Sequence, residues 1–302
     1  MSHYAGLTAL VTGASRGIGA AMARELARRG IQELILSARS EEDLNALAEE
    51  LRTSYTDLAV NIVVADLAAS DGAASLVEYV KRRGLAVDIL VNNAGFGAHG
   101  LFDEADAAKD AAMIAVNVDA LVALTHAFLP GMISRNRGGV INVASTAGLI
   151  PIPYMSVYGA TKAFVLSFSE GLWVELKDKG ANVRMLALCP GNTSTNFGEG
   201  MHRGNFESGP QDTPESVVVA GLNAYERGDN YTVVGWGNYV TMQSARLLPR
   251  AMAAKVAGAA TRPPELKPAK TTPDGRGLLL ATGGAMLGLA LTVILTRRKR
   301  RS

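Results

Sequence analysis

The sequence predicts a single α/β domain built on a doubly wound parallel sheet. Three observations support this prediction. Strand-like apolar runs alternate with helix-like segments along the chain, which is the pattern of successive βα units. The chain opens with the apolar run 7–11, a glycine-rich turn and a stretch of good helix formers at 20–29. With 302 residues, of which 48% are hydrophobic, the chain can bury one large core.

The glycine-rich turn T-G-A-S-R-G-I-G at 12–19 joins the first strand to the first helix. Gly13, Gly17 and Gly19 let the backbone turn tightly and approach a pyrophosphate, which the N–H groups at a helix N-terminus attract. The spacing is G-x-x-x-G-x-G rather than G-x-G-x-x-G. Glycine turns also serve as simple connectors, so it is the position between a strand and a helix that favours a Rossmann-type dinucleotide site.

Tyr158, Lys162 and Ser145 form a candidate proton-transfer site. Tyr158 and Lys162 are four residues apart in Y-G-A-T-K, so on a helix their side chains share one face. A free tyrosine has a pKa of about 10 and needs a neighbouring cation to act near neutrality. Lys162 is the candidate cation, and the Ser145 hydroxyl, from a strand end, is placed to orient a carbonyl or alcohol beside Tyr158.

Taken together, these segments resemble the short-chain dehydrogenase/reductase family, in the form with a T-G-x-x-x-G-x-G cofactor turn and a Y-x-x-x-K active site. The resemblance runs from about residue 5 to about residue 240. Further segments match in the family's order: Asp66-Leu67 after a β-branched run, Asn92-Asn93-Ala94-Gly95, Asn117 in N-V-D-A, and Pro190-Gly191 with Thr195.

The resemblance implies transfer of a hydride between a nicotinamide and a carbonyl carbon, with a proton from Tyr158 and a hydrogen bond from Ser145 at its oxygen. It implies that Lys162 binds the nicotinamide ribose and lowers the pKa of Tyr158, and that Asn117 holds a water linking Lys162 to solvent. The implied catalytic residues are Ser145, Tyr158, Lys162 and Asn117. The predicted cofactor contacts are Gly13, Ser15, Arg16, Gly17, Ile18, Gly19, Ser37, Arg39, Asp66, Asn93, Ala94, Gly95, Tyr158, Lys162, Pro190, Gly191 and Thr195.

The end of the second strand predicts which cofactor is used. In dinucleotide folds a carboxylate there accepts the 2′-hydroxyl of NAD, whereas an arginine accommodates the 2′-phosphate of NADP. The segment 34–39 ends in Arg39 and has no carboxylate, and Arg16 lies within the glycine turn. Arginine pairs well with phosphate oxygens, and Ser37 offers a further hydroxyl. The alternative is that both arginines are ordinary surface residues. We expect NADP(H) to be preferred.

Composition excludes several other functions. The only cysteine, Cys189, ends an apolar run, so no disulfide is possible within one chain, in keeping with a reducing compartment. The histidines at 3, 99, 126 and 202 lack metal-ligand spacing, and we expect no metal site. Removing the five basic residues 297–301 from the net charge of +2 leaves −3, so nucleic-acid binding is not expected.

The C-terminal part of the chain predicts a membrane anchor. We expect a catalytic domain at 1–258, a Pro-rich linker at 259–276, a transmembrane helix at 277–296 and a basic tail at 297–302. The segment 277–296 is uncharged and long enough to span a bilayer. A core helix is the alternative, but this segment has no polar face. The positive-inside rule would keep the tail cytoplasmic, whereas cofactor supply favours a cytoplasmic catalytic domain.

Substrate specificity should depend on the C-terminal third of the chain. The glycine-rich stretch 192–214 resembles a substrate lid and contains Phe197, Met201 and Phe206. Other candidate pocket residues, of which we expect about half to face substrate, are Phe96, Tyr154, Met155, Trp236, Tyr239 and Met242. They favour an apolar carbonyl or alcohol substrate, such as a fatty acyl, steroid-like or retinoid-like compound.

Two function hypotheses remain open at this point. One is a membrane-associated NADP(H)-dependent oxidoreductase. The other is a membrane-anchored NADPH-binding scaffold or redox sensor without turnover. Epimerases and dehydratases on the same fold are a further alternative, since they also use the tyrosine and the cofactor. The family resemblance also implies a homodimer or homotetramer.

Overall fold

A seven-stranded, all-parallel sheet forms the centre of the computed structural model, which describes residues 3–195, 197, 211–263 and 266. Its strand order is β3-β2-β1-β4-β5-β6-β7. The strands are β1 (Thr8–Thr12), β2 (Glu33–Ala38), β3 (Ala59–Val64), β4 (Ile89–Asn92), β5 (Gly139–Val143), β6 (Arg184–Cys189) and β7 (Tyr231–Val233). The predicted doubly wound α/β domain is therefore confirmed.

Helices connect the strands and cover the sheet on two sides. They are α1 (Gly17–Arg28), α2 (Glu41–Ser54), α3 (Gly72–Arg82), α4 (Ala107–Ile114), α5 (Leu121–Arg135), α6 (Ser156–Asp178), α7 (Pro214–Arg227), α8 (Trp236–Arg246) and α9 (Arg250–Thr261). Local sequence sets their ends, as α7 illustrates. The Thr213 hydroxyl caps its start by accepting from Ser216 N, Pro214 occupies its first turn, and Gly228 ends it with a φ of 78°.

The core has two layers because successive strand residues point to opposite faces of the sheet. On one face Leu10, Ile35 and Leu90 pack with α3 and α5. On the other face Val11 and Leu34 pack with α1, α2 and α7. All five side chains are fully buried, and each contributes about 1.5–3 kcal/mol by leaving water. The result is a rigid sheet that fixes the relative positions of its strand ends.

The connection between β4 and β5 contains a long helical run, Ala107–Arg135, in which α4 and α5 are joined by a π-helical segment, Ala115–Ala120. Within the described residues this run is the one stretch long and apolar enough to cross a bilayer. Leu124, Phe128 and Met132 on α5 are buried in the sheet's core. We therefore assign the run to the core of the domain.

The folded unit extends to Pro263, with α9 as its last helix. Helix α9 thus continues to Thr261, beyond the domain boundary that the sequence predicts at 258. The predicted transmembrane helix at 277–296, the basic tail and the linker residues 264, 265 and 267–276 lie outside the described residues. These predictions are not tested by the structure.

Candidate active site

A cleft of about 830 Å³ lies at the carboxyl ends of the strands, where the sheet order turns from β1 to β4. In parallel sheets this is the edge where ligands bind. Residues from the ends of β1, β2, β4, β5 and β6 line it, together with two side chains of α6. All of the residues predicted as cofactor contacts or catalytic groups line this cleft except Gly19 and Asn117.

The glycine turn fits tightly against the loop after β4. Gly13 and Gly17 have φ values of 63° and 56°, which favour glycine. A Cβ on Gly13 would lie 2.9 Å from the Ala94 Cα, and one on Gly19 only 2.1 Å from the Gly13 carbonyl oxygen. Gly19 therefore packs against the Gly13 carbonyl on the side of the turn away from the cleft, and it does not line the cleft. No capping hydrogen bond from the Arg16 side chain covers the start of α1.

Thr12 and Asn93 fasten the end of β4 to the glycine turn. The Asn93 Nδ2 donates to the carbonyl oxygens of Thr12 at 2.9 Å and Gly13 at 3.1 Å. The Thr12 Oγ1 in turn accepts from the backbone N–H groups of Asn93 and Ala94, both at 3.0 Å. The glycine turn and the loop after β4 therefore form one hydrogen-bonded unit.

Helix α6 brings Tyr158 and Lys162 to the cleft as their spacing predicts. The Lys162 Nζ lies 5.9 Å from the centre of the Tyr158 ring and donates to the Val143 carbonyl oxygen at 2.7 Å. Ser145, which follows β5, is hydrogen-bonded to Tyr158 and also accepts from Ala147 N at 3.1 Å. All three catalytic candidates are at least nine-tenths buried. A hydroxyl, a phenol and an amine thus meet at one wall of the cleft.

Asn117 lies in the π-helical segment, and its side chain is hydrogen-bonded on both sides. Its Oδ1 accepts from Phe96 N at 3.1 Å, and its Nδ2 donates to the Phe96 carbonyl oxygen and the Thr161 Oγ1, both at 3.0 Å. Thr161 Oγ1 then donates to the Tyr158 carbonyl oxygen at 2.7 Å. The Asn117 side chain therefore links the loop after β4 to the turn of α6 that carries Tyr158. Its predicted role in holding a water stays a prediction.

Comparison with known proteins gives the family. The family description "short chain dehydrogenase" matches residues 7–204. The chain belongs to this family. It is 34% identical over 221 residues to a very-long-chain 3-oxoacyl-CoA reductase from Anas platyrhynchos, covering 72% of this chain and 68% of the relative. It is also 34% identical over 228 residues to a 17-beta-hydroxysteroid dehydrogenase type 3 from Mus musculus, covering 74% and 72%.

A solved structure of a short-chain dehydrogenase from Sphingobium yanoikuyae in complex with NADPH has the same fold. Its TM-score is 0.70 at 34% identity, and the match covers 80% of this chain and 93% of that one. As a short-chain dehydrogenase/reductase, the chain is an oxidoreductase acting on CH–OH and C=O groups. The cofactor predicted from Arg16, Ser37 and Arg39 agrees with the NADPH in that structure.

Burial dominates the electrostatics of this short-chain dehydrogenase's active site. It raises the pKa of Tyr158 to about 12, an effect that the hydrogen bond with Ser145 opposes. Burial also lowers the pKa of Lys162 to about 8. The predicted effect of Lys162 on the pKa of Tyr158 stays a prediction, because burial of the phenol sets the direction of its pKa in this structure. Tyr158 is held in its proton-donating form.

The cleft is aromatic beside Tyr158, and we call this end of it the substrate side because the predicted pocket residues Phe96 and Phe197 lie there. The Phe197 ring lies 5.5 Å from that of Tyr158, and a Cβ on Gly97 would come within 3.4 Å of both. Of the predicted pocket residues, Phe96 and Phe197 line the cleft. Met201 and Phe206 lie outside the described residues. The others, which do not line it, are Tyr154, Met155, Trp236, Tyr239 and Met242.

Sequence reasoning missed a contact that holds two loops near the Phe96 and Phe197 end of the cleft. His99 Nε2 donates to the Thr261 carbonyl oxygen at 2.6 Å, and the Thr261 Oγ1 donates to the Pro153 carbonyl oxygen at 2.9 Å. Next to Pro153, Tyr154 has a φ of 63° and its carbonyl accepts from Gly100 N at 2.8 Å. We call this arrangement the α9 clamp, since the last turn of α9 binds both the loop after β4 and the loop before α6.

Proposed function

We propose that this chain is an NADP(H)-dependent oxidoreductase that interconverts a carbonyl and an alcohol on an apolar substrate. The observation that carries the proposal is the meeting of Tyr158, Ser145 and Lys162 at one wall of a cleft whose other end is a glycine turn. A scaffold without turnover would not need the three groups buried and hydrogen-bonded in this arrangement. Their presence favours the enzyme over the sensor.

The residues of the cleft fit NADP(H). Its glycine turn leaves room for a pyrophosphate where side chains would collide. Ser37 Oγ is buried at the adenosine end and has no hydrogen-bond partner among the described residues, so it is open to a ligand hydroxyl or phosphate. Arg39 is exposed beside it, and Arg16 lines the same end. Two guanidinium groups suit a 2′-phosphate. The cofactor contacts are proposed to be those named from the sequence.

The chemistry divides between cofactor and protein. The nicotinamide, when bound, supplies or accepts the hydride. Tyr158, with its pKa of about 12, is neutral at physiological pH and donates the proton to the carbonyl oxygen. Ser145 hydrogen-bonds the same oxygen and orients it. Lys162, with its pKa of about 8, still carries a proton near neutrality and restores the one that Tyr158 gives up. Asn117 keeps Phe96 and α6 in position.

The proposed substrate is apolar. Phe96, Phe197, Ala112 and Val116 contribute carbon surface to the cleft near Tyr158. Relatives named for a 3-oxoacyl-CoA and for a 17-beta-hydroxysteroid support a fatty acyl or steroid-like carbonyl; a retinoid-like one is also compatible with this surface. We further propose that residues 277–296 anchor the chain to a membrane, that the catalytic domain is cytoplasmic, and that the chain forms a homodimer or homotetramer.

The test is replacement of Tyr158 by phenylalanine in detergent-solubilised protein. NADPH oxidation would be followed against a panel of ketones, aldehydes, steroid ketones and 3-oxoacyl thioesters. We expect the variant to lose turnover while binding NADPH as the wild type does, because only the phenol is removed. Tyr79→Phe on α3, outside the cleft, is the matched control and should keep full activity. A Tyr158→Phe enzyme that turns over normally would contradict the assignment.

A further inference from the structure

Helix α8 exposes an unusual amount of apolar surface. No residue of this helix is buried. Trp236 is 79% exposed, Tyr239 is 40% exposed, and Leu247 at the end of the helix is 87% exposed. The rings of Trp236 and Tyr239 stack with their centres 5.8 Å apart. Contiguous exposed apolar patches mark interaction sites, whereas single exposed apolar residues do not.

These side chains lie on one side of the helix. At 100° per residue, positions 236, 239, 246 and 247 fall within about one third of the helix circumference. Arg246 is exposed on that side together with the apolar residues. Helix α8 therefore presents an aromatic and cationic stripe to its surroundings.

Helix α9, which contacts α8, also exposes cationic and apolar side chains. Its buried residues Ala253 and Ala257 face the domain, whereas Val256 is 59% exposed and Lys255 is also exposed. Arg250 at its first position is exposed as well. We define the α8–α9 face as the exposed side chains of Trp236, Tyr239, Arg246, Leu247, Lys255 and Val256.

The charge of this region points to an anionic partner. The segment 230–264 contains no aspartate or glutamate but includes Arg246, Arg250, Lys255 and Arg262. Exposed Trp and Tyr with Leu and cations on helices are the composition of surfaces that rest in lipid headgroups. A second copy of the chain is a poorer match. In a two-fold interface the same cations would face one another across the contact.

We propose that the α8–α9 face rests on the surface of a membrane containing anionic lipids. In part this rests on the proposed anchor: residues 262–276 can span no more than about 50 Å even when fully extended, so an anchor at 277–296 would keep the unit near the bilayer. Trp236 and Tyr239 then occupy the headgroup region, and the arginines pair with lipid phosphates. Because α9 also forms the α9 clamp, this contact brings the substrate side of the cleft close to the lipid.

Trp236 itself provides the test, because the chain has only two tryptophans. Trp173→Phe leaves Trp236 as the sole indole, and its activity in detergent checks that the variant folds. The full-length variant is reconstituted into vesicles with brominated acyl chains, made of phosphatidylcholine alone or in equal parts with phosphatidylserine. We expect Trp236 emission to move to shorter wavelength and to lose most of its intensity in the mixed vesicles, and less in the neutral ones.

Two further variants serve as controls. Trp236→Phe keeps Trp173, whose indole donates to the Gly228 carbonyl oxygen within the fold, and its emission should not be quenched. Arg246→Glu with Arg250→Glu, in the Trp173→Phe background, should reduce Trp236 quenching in mixed vesicles while activity in detergent stays unchanged.

Three outcomes would overturn the proposal. The first is protein that is recovered with the vesicles but has unquenched Trp236, which leaves the anchor intact. The second is Trp236 quenching that is as strong in neutral vesicles, and in the charge-reversed variant, as it is for Trp173→Phe in mixed vesicles. The third is a wavelength shift that follows protein concentration instead of lipid, which would assign the face to a second copy. Turnover of Tyr158→Phe tests the proposed function, whereas Trp236 quenching in variants that stay active in detergent tests this contact, so the two fail separately.

Discussion

Replacing Lys162 by methionine tests the electrostatics of the buried active site. Burial lowers the pKa of Lys162 from its ordinary 10.5 to about 8. Below about pH 8 the Lys162 amine is protonated in both the folded and the unfolded chain. Holding this charge in the buried site lowers the free energy of unfolding. At about 1.4 kcal/mol per pKa unit, this cost is about 3 kcal/mol. Methionine has a similar shape and carries no charge, so the folded Lys162→Met variant does not have this cost of a buried charge.

The pH dependence separates this cost from other effects of the substitution. Between about pH 8 and pH 10.5 the unfolded chain holds the proton while the folded chain has released it. Wild-type stability therefore rises with pH relative to the variant. The free energy of unfolding of the wild type minus that of Lys162→Met should therefore increase by about 2 kcal/mol between about pH 7 and about pH 9.5. The hydrogen bond lost at the Val143 carbonyl costs about 1–3 kcal/mol, but equally at both pH values.

The assay is urea unfolding followed by circular dichroism at the two pH values without cofactor. Lys109→Met is the control. Lys109 is exposed on α4 and stays in water in both states, so its stability difference from the wild type should be the same at both pH values. A Lys162→Met difference that is also constant, or that moves in the variant's favour as pH rises, would refute the burial argument. Turnover should be lost in Lys162→Met throughout.

Two further substitutions probe the cofactor side of the cleft. Arg39→Asp should weaken NADPH binding at least about tenfold and leave NADH binding less affected, because a charged hydrogen bond is lost; unchanged discrimination in a fluorescence titration would contradict the role of Arg39. Gly95→Ala would put a Cβ 2.8 Å from the Asn117 Oδ1, and it should destabilise the protein by about 1–3 kcal/mol in urea unfolding. The control is Gly171→Ala in α6, whose Cβ would meet nothing within 4 Å and which should not destabilise the protein. An equal loss of stability in both variants would contradict the explanation by crowding at Asn117.

Much of the fold and of the cleft could be predicted from local patterns. The run 7–11, the glycine turn and the following helix are consecutive in sequence, so their geometry is local. The parallel sheet then brings its strand ends to one edge, which is why Ser145 and Tyr158 could be expected together. The spacing of Tyr158 and Lys162 likewise fixes their shared face. It does not fix their burial, which raises the pKa of Tyr158 and lowers that of Lys162.

The remaining features depend on contacts between distant segments. The π-helical segment at Asn117 has the composition of an ordinary helix, and its bonds to Phe96 depend on the position of the loop after β4. His99 and Thr261 are 162 positions apart. Trp236 and Tyr239 were assigned to the pocket because they are aromatic, but the direction in which a helix residue points depends on how its helix docks. Composition alone does not contain that information.

The α9 clamp gives the folded unit an end that is defined by hydrogen bonds. Thr261, the last residue of α9, uses its carbonyl to hold His99 and its hydroxyl to hold Pro153. A polypeptide cut at residue 258 would keep every residue that lines the cleft and yet lose the contacts that hold two loops beside it. The C-terminal limit of the folded unit is therefore set by hydrogen bonds to the loops beside the cleft, a few residues after the boundary that composition predicts at 258.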